Sequence, residues 1–323
     1  MTRALASALL LFAAGPAAAA FSGRDAGTAG AQFLKLGADA RSAGMGSAVR
    51  ALCEDANAVY WNPAGLAALN YRHATMTHAA YYQSVFYDFL AYAQPIDSVL
   101  GRSRPEMQAD QLGAVGVAAY YLNAGSMGEI DNTGTPTGQS FTPQDLAAVI
   151  AWGGAVNRFL DVGVGLKYIT SQIKERASTG AVDLAFRLHP HLIGLPWTIA
   201  FTAQNLGGDL KFIERADPLP LQIAVSQSLR PTRNLAVTAD VVMERDDAPY
   251  PSFGVEYRRA IGPNLSAAGR AGWEGRDSSS DLSGTTGLSF GAGMTLTRFG
   301  FDYAWVPYGA LGDTHRFSLS YRF

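Results

Sequence analysis

The chain has 323 residues with 25 Lys+Arg against 27 Asp+Glu, a balance that implies no nucleic-acid or polyanion partner. Only 16% of residues are charged, low beside the roughly 25% usual in soluble domains. The 35 Gly and 11% aromatic residues suit turn-rich β structure, and the length allows one large all-β domain or two ordinary ones.

Residues 1–20, "MTRALASALLLFAAGPAAAA", place one Arg ahead of an apolar run ending in Ala18-Ala19-Ala20. That is the pattern of a cleavable secretory signal peptide, with Phe21 opening the mature chain. The Ala-rich composition, Gly15-Pro16 and the lack of a basic stop-transfer flank set it apart from a retained anchor. Cys53 is the only cysteine; in an oxidising compartment it forms no intrachain disulfide and reads as a small buried residue. After residue 20 no run of 18 apolar residues occurs, so a membrane would have to be entered as a closed barrel.

Residues 21–70 carry no sustained strand or helix period. Gly44 and Gly46 flank Met45, and Ala and Ser dominate, which permits close backbone approach. In Tyr60-Trp61-Asn62-Pro63-Ala64-Gly65 a short helix is expected to start, with Asn62 capping free N–H groups and Pro63 at the first position. Apolar Phe33, Leu34, Val59 and Leu66 argue against a disordered arm. A wide barrel lumen cannot be filled by wall side chains alone, so this segment is expected to plug one, with Trp61 against the inner wall.

From residue 71 onward, period-2 alternation recurs in about fourteen segments, near 72–82, 85–95, 112–122, 143–156, 160–171, 180–189 and 197–206, then 220–228, 235–243, 250–258, 265–273, 286–295, 298–307 and 314–323. Each is close to the ~9–11 residues of a tilted membrane strand, and the even count suits a bacterial outer-membrane barrel. Long and short connections mostly alternate, which places the long set outside the cell and the short set in the periplasm. Gln83-Ser84 and "DSVLGRSRPEMQADQ" disobey. The last strand, "HRFSLSYRF", puts Phe317, Leu319, Tyr321 and Phe323 on one face, an expected signal for the barrel assembly machinery.

Opposite the aromatic faces lie Asp161, Lys167, Asp183, Arg187, Asp240, Glu256, Arg258, Arg270, Asp302 and Arg316. In a barrel the aromatics meet outer-membrane lipid and these charges of both signs face the lumen, either as a selectivity surface or as a self-paired network. Lipid-facing Val164→Arg is then expected to cost more than lumen-facing Lys167→Ala. No catalytic, cofactor or metal site is expected. Gly287-Leu288-Ser289-Phe290-Gly291 fits the hydrolase G-x-S-x-G pattern, yet strand alternation runs straight through it. His189-Pro190-His191 reads as turn chemistry.

The stretches "FLKLGADARSAGMGSA", "EDANAVYWNPAGLA" and "PYGALGDTHRFSLSYRF" resemble the PorV/PorQ family within the FadL-like superfamily, and shorter pieces extend the likeness over nearly the whole mature chain. The resemblance implies a 14-stranded barrel with an N-terminal hatch, Asn62-Pro63-Ala64 matching the hatch motif. It implies a non-enzymatic transport or export component of type IX secretion kind, partnered by exported proteins or secretion components. The superfamily's alternative is uptake of hydrophobic small molecules such as long-chain fatty acids.

Overall fold

The structure, a computed structural model, describes residues 27–81, 84–99, 112–190, 194–276 and 286–323; the expected signal peptide, residues 1–20, lies outside them. Strands β1 (His73–Ala80), β2 (Phe86–Pro95) and β3 (Ala114–Asn123) come first. A loop hairpin of β4 (Met127–Ile130) and β5 (Pro136–Phe141) precedes β6 (Gln144–Asn157), β7 (Leu160–Gln172), β8 (Arg176–Leu188) and β9 (Trp197–Gly207). A second loop hairpin, β10 (Asp209–Lys211) and β11 (Ala216–Pro218), precedes β12 (Gln222–Thr232), β13 (Leu235–Glu244) and β14 (Tyr250–Gly262). The chain ends with β15 (Leu265–Glu274), β16 (Leu288–Leu296), β17 (Phe299–Pro307) and β18 (Asp313–Arg322).

Leaving the two loop hairpins aside, fourteen strands close into one barrel, every neighbouring pair antiparallel. Closure is made by β1 on β18, in register from His73 opposite Arg322 to Ala80 opposite His315. With no open edge, the backbone ladder of the wall is continuous around the barrel, the condition for spanning lipid. The outer face is apolar: Leu166 is 55% exposed, Phe253 46% and Phe301 41%, while the alternate residues Asp183 and Arg187 are fully buried. A water-soluble sandwich would reverse that distribution.

Each of the fourteen expected segments coincides with a strand. The gap between β7 and β8 is shorter than the alternation suggests, because Gln172 pairs with Arg176 and the strands continue through Ala177 and Ser178. These residues are small or polar, so they carry little hydrophobic signal; Ala177 faces inward into the core. Of four register shifts in the wall, three lie beside short turns, at Leu229/Thr232, Ala260/Gly262 and Ala155/Asn157, and the fourth is a bulge on β9 opposite Asp183. Asn205 sits there at φ 61°, and its N–H donates to the Asp183 carboxylate at 2.9 Å.

The core is the lumen itself, filled by residues of the segment that precedes β1. It runs the height of the barrel. Near the long-loop end Gly30 N donates to Pro218 O, whereas at the short-turn end His73 Nδ1 accepts from Ala56 N at 3.2 Å. The lumen wall has two halves. On β2, β3 and β6 it is apolar, with Tyr87, Phe89, Tyr120 and Val149 buried. On β12 to β18 it is polar, with Ser226, Asp240, Ser252, Glu256, Arg270 and Arg316 buried.

Candidate functional site: the plug and the wall it seats on

Inside the barrel the described residues of the segment form four short helical turns. Ala40–Ala43 is a single helical turn whose cap, Asp39, accepts from Ser42 N at 3.0 Å. Asn62 ends one such turn, Ala58–Trp61, and starts the next, the 3-10 helix Pro63–Ala68. Its Oδ1 accepts from Ala64 N at 3.1 Å, and its Nδ2 donates to Arg50 O at 2.7 Å. Asn62 thus caps the helix and ties it to the preceding loop, while Pro63 takes the position where no donor is needed. Turns this short have no stability of their own; they persist because the wall buries them.

The plug seats backbone on backbone. A Cβ added to Gly163 would lie 2.1 Å from Ala64 N, and one on Gly153 would lie 2.1 Å from Pro63 O. Near the long-loop end Gly46 holds φ +60°, and its own missing Cβ would meet the Trp273 backbone at 2.6 Å. Gly44 likewise abuts Gly291. Here the small-residue composition has a direct physical use, because any side chain would hold the plug off the wall. Ser289, the serine of the G-x-S-x-G match, is buried in β16, and its Oγ accepts from Gly46 N at 3.1 Å.

Charges connect plug and wall. Arg41 grips Glu256 with Nε and Nη2 at 2.9 and 3.0 Å. Arg50 reaches Asp240 at 3.1 Å and Gln222 at 2.5 Å. Lys35 sits between Glu244 at 2.9 Å and Asp246 at 2.6 Å. Glu54 spans Arg187 at 2.8 Å and Arg230 at 3.0 Å. Burial pushes the Glu54 carboxyl up, but the two guanidinium groups outweigh it and hold it at about 2. Arg316 donates to Leu36 O at 2.7 Å.

Of the ten charges expected in the lumen, Asp240, Glu256, Arg187 and Arg316 thus touch the plug. The others pair along the wall: Lys167 with Asp183 at 2.8 Å, and Arg270 with both Glu256 and Asp302 at 2.7 Å. Arg258 lies 3.4 Å from Glu256, and Asp161 lies 2.8 Å from His189 Nε2. His191 lies outside the described residues, which hold no group of three candidate metal ligands. The paired arrangement is that of a network joining plug to wall.

One expectation needs correcting. Trp61 is buried chiefly within the plug: its Nε1 donates to Asp39 at 3.0 Å, and Arg50 lies over its ring at 5.1 Å. Tyr60 meets the wall instead, with its ring 5.5 Å from Tyr120 and 6.1 Å from Phe89. Gln204 also donates to Tyr60 O at 2.6 Å. In the helical turn Ala58–Trp61 adjacent side chains point about 100° apart, so only one ring can face β2 and β3. The plug's own charges, Lys35, Arg41, Arg50 and Glu54, escaped sequence reasoning. Their signal was their presence in an Ala/Gly-rich segment facing a lumen of both signs.

At the C-terminus, Phe317 and Leu319 face outward. Phe323 N donates to Arg72 O at 3.0 Å, and the Tyr321 ring packs 4.7 Å from Phe299 and Phe323.

No protein-family model matches the chain, and no curated protein is similar to it in sequence. Solved structures are similar in fold. The Ralstonia pickettii toluene transporter TbuX superposes with a TM-score of 0.57 at 13% identity, covering 89% of this chain and 98% of that one. The Pseudomonas putida toluene transporter TodX gives 0.56 at 10% identity, covering 88% and 98%. A Pseudomonas aeruginosa FadL homologue gives 0.50 at 10%, covering 88% and 98%. At these identities the likeness establishes fold alone: a closed antiparallel barrel.

Proposed function

We propose that this chain is a bacterial outer-membrane channel that admits hydrophobic small molecules when its plug shifts. The observation that carries the reading is the divided lumen. A water-filled porin has no use for a buried aromatic half-wall of Tyr87, Phe89 and Tyr120 packed on Phe33 and Tyr60. An apolar solute does, because such a surface replaces the one the plug vacates. The similar solved structures include toluene transporters and a monoaromatic hydrocarbon channel, which makes toluene a sensible first probe beside a long-chain fatty acid. Export of proteins, the PorV/PorQ reading, rests on the sequence motifs alone.

The test is uptake of labelled toluene and labelled oleate into proteoliposomes with and without the protein. The plug is then locked with Val59→Cys/Gly116→Cys in a Cys53→Ala background. A Cβ on Gly116 would lie 2.4 Å from Val59 Cγ2, close enough for two cysteines to bond after slight adjustment. The expected result is stimulated uptake of at least one probe, abolished by oxidation and restored by reduction. No stimulation of either probe, together with a stoichiometric protein partner from native membranes, would favour export instead.

A further inference from the structure

A polar cavity of about 270 Å³ opens between plug and wall at the short-turn end. Six arginines line it: Arg41, Arg230, Arg233, Arg258, Arg298 and Arg322. Three are matched by acids, Arg41 and Arg258 by Glu256 and Arg230 by Glu54. Arg233, Arg298 and Arg322 make no ion pair among the described residues, and the Arg322 guanidinium lies over the Tyr71 ring at 4.8 Å. They converge from three different turns or strand ends; of the carboxylates lining the cavity, Glu54, Glu256 and Asp302 are already engaged with other arginines, which leaves Asp55 alone against three guanidinium groups. Unneutralised guanidinium groups around a confined, half-enclosed space attract a negative group of matching planar or tetrahedral shape.

We propose that this vestibule binds a single oxyanion, a carboxylate or phosphate, and that the bound anion competes with Glu54 for Arg230. The volume limits the occupant to a small anion or to one head group. A free anion can enter from solvent. A lipid head group can also reach the site, because Arg298 and Arg322 adjoin Phe299 and Tyr321 on the outer apolar face. Competition follows from position: Arg230 lines the cavity while holding one oxygen of Glu54, the plug's only carboxylate paired with wall arginines among the described residues. This inference stands apart from the identity of the transported molecule.

The experiment uses full-length protein in nanodiscs, with inorganic phosphate as probe. Calorimetry in phosphatidylcholine discs should show saturable binding, weakened at least tenfold in Arg233→Gln/Arg298→Gln/Arg322→Gln. All three side chains are exposed, so folding is checked by heat-modifiable migration, and Arg298→Gln alone serves if the triple variant fails. In discs containing phosphatidylglycerol, weaker phosphate binding identifies a lipid head group as the occupant, and unchanged binding identifies a free anion. Absence of binding in both disc types, or equal affinity in wild type and variants, overturns the site. The competition is read at Cys53, buried one residue before Glu54: bound phosphate should accelerate maleimide labelling, and an unchanged rate overturns the competition.

Discussion

Whether the plug seats at all is decided at Gly163 by the absence of one methyl group. The wall backbone there lies so close to Pro63 and Ala64 that a Cβ would fall 2.1 Å from Ala64 N. The obstacle is backbone on both sides, so no side chain can swing away to make room. Gly163→Ala should therefore lift the Pro63–Ala68 turn from the wall, at a cost of about 1–3 kcal/mol from overpacking. Cys53 reports the change. Its thiol is buried, and burial with Asp55 and Asp39 nearby pushes its pKa well above the usual range, so it is unreactive while the plug is seated. Maleimide labelling of Cys53 should rise roughly tenfold, the factor for ~1.4 kcal/mol, while the barrel still migrates as a folded species. An unchanged rate would show that the contact at Gly163 does not hold the plug.

On strand β7 the two faces differ in chemistry, and the structure changes which substitution matters more. Val164 faces outward, and an arginine there meets lipid at about 2–4 kcal/mol. Lys167 faces the lumen, where solvent access would make its loss cheap. It is instead buried, paired with the fully buried Asp183 at 2.8 Å, and it donates to Asn205 at 2.7 Å. Lys167→Ala leaves that buried carboxylate with the Asn205 N–H but no counter-charge, at about 3–5 kcal/mol, so refolding titrations should rank it at least as damaging as Val164→Arg. Lys167→Met/Asp183→Leu should recover much of the loss; if it does not, the pair is not the cause. The same strand shows what the sequence could reveal. Leu160, Val162, Val164, Leu166 and Tyr168 alternate with small or charged residues, so strand, length and facing were readable. Whether an inward charge meets water or a partner was not, because Asp183 lies on another strand and pairing depends on closure. The plug was legible as small-residue chain with a cap at Asn62. Its grip through Arg41, Arg50 and Glu54 was not, since charges without periodicity carry no address.

Across the whole molecule, plug and wall divide the work of stability. The wall closes its own ladder of hydrogen bonds, so it does not need the plug to satisfy its backbone. The plug's four short turns depend wholly on the wall. Deleting residues 21–70 should therefore leave a barrel that inserts into a planar bilayer and conducts steadily, while the full-length protein is nearly silent. The ten wall charges expected in the lumen are balanced, five acidic and five basic, and the plug's described charges also cancel, Lys35, Arg41 and Arg50 against Asp39, Glu54 and Asp55. Removing the plug therefore unpairs wall charges of both signs, Asp240 and Asp246 as well as Arg187 and Arg230, and the open lumen should discriminate little between K⁺ and Cl⁻. The reversal potential in a KCl gradient should accordingly stay near zero. A silent deletion protein would place the obstruction in the loops, and a strongly selective pore would mean that charges of one sign dominate the conducting path.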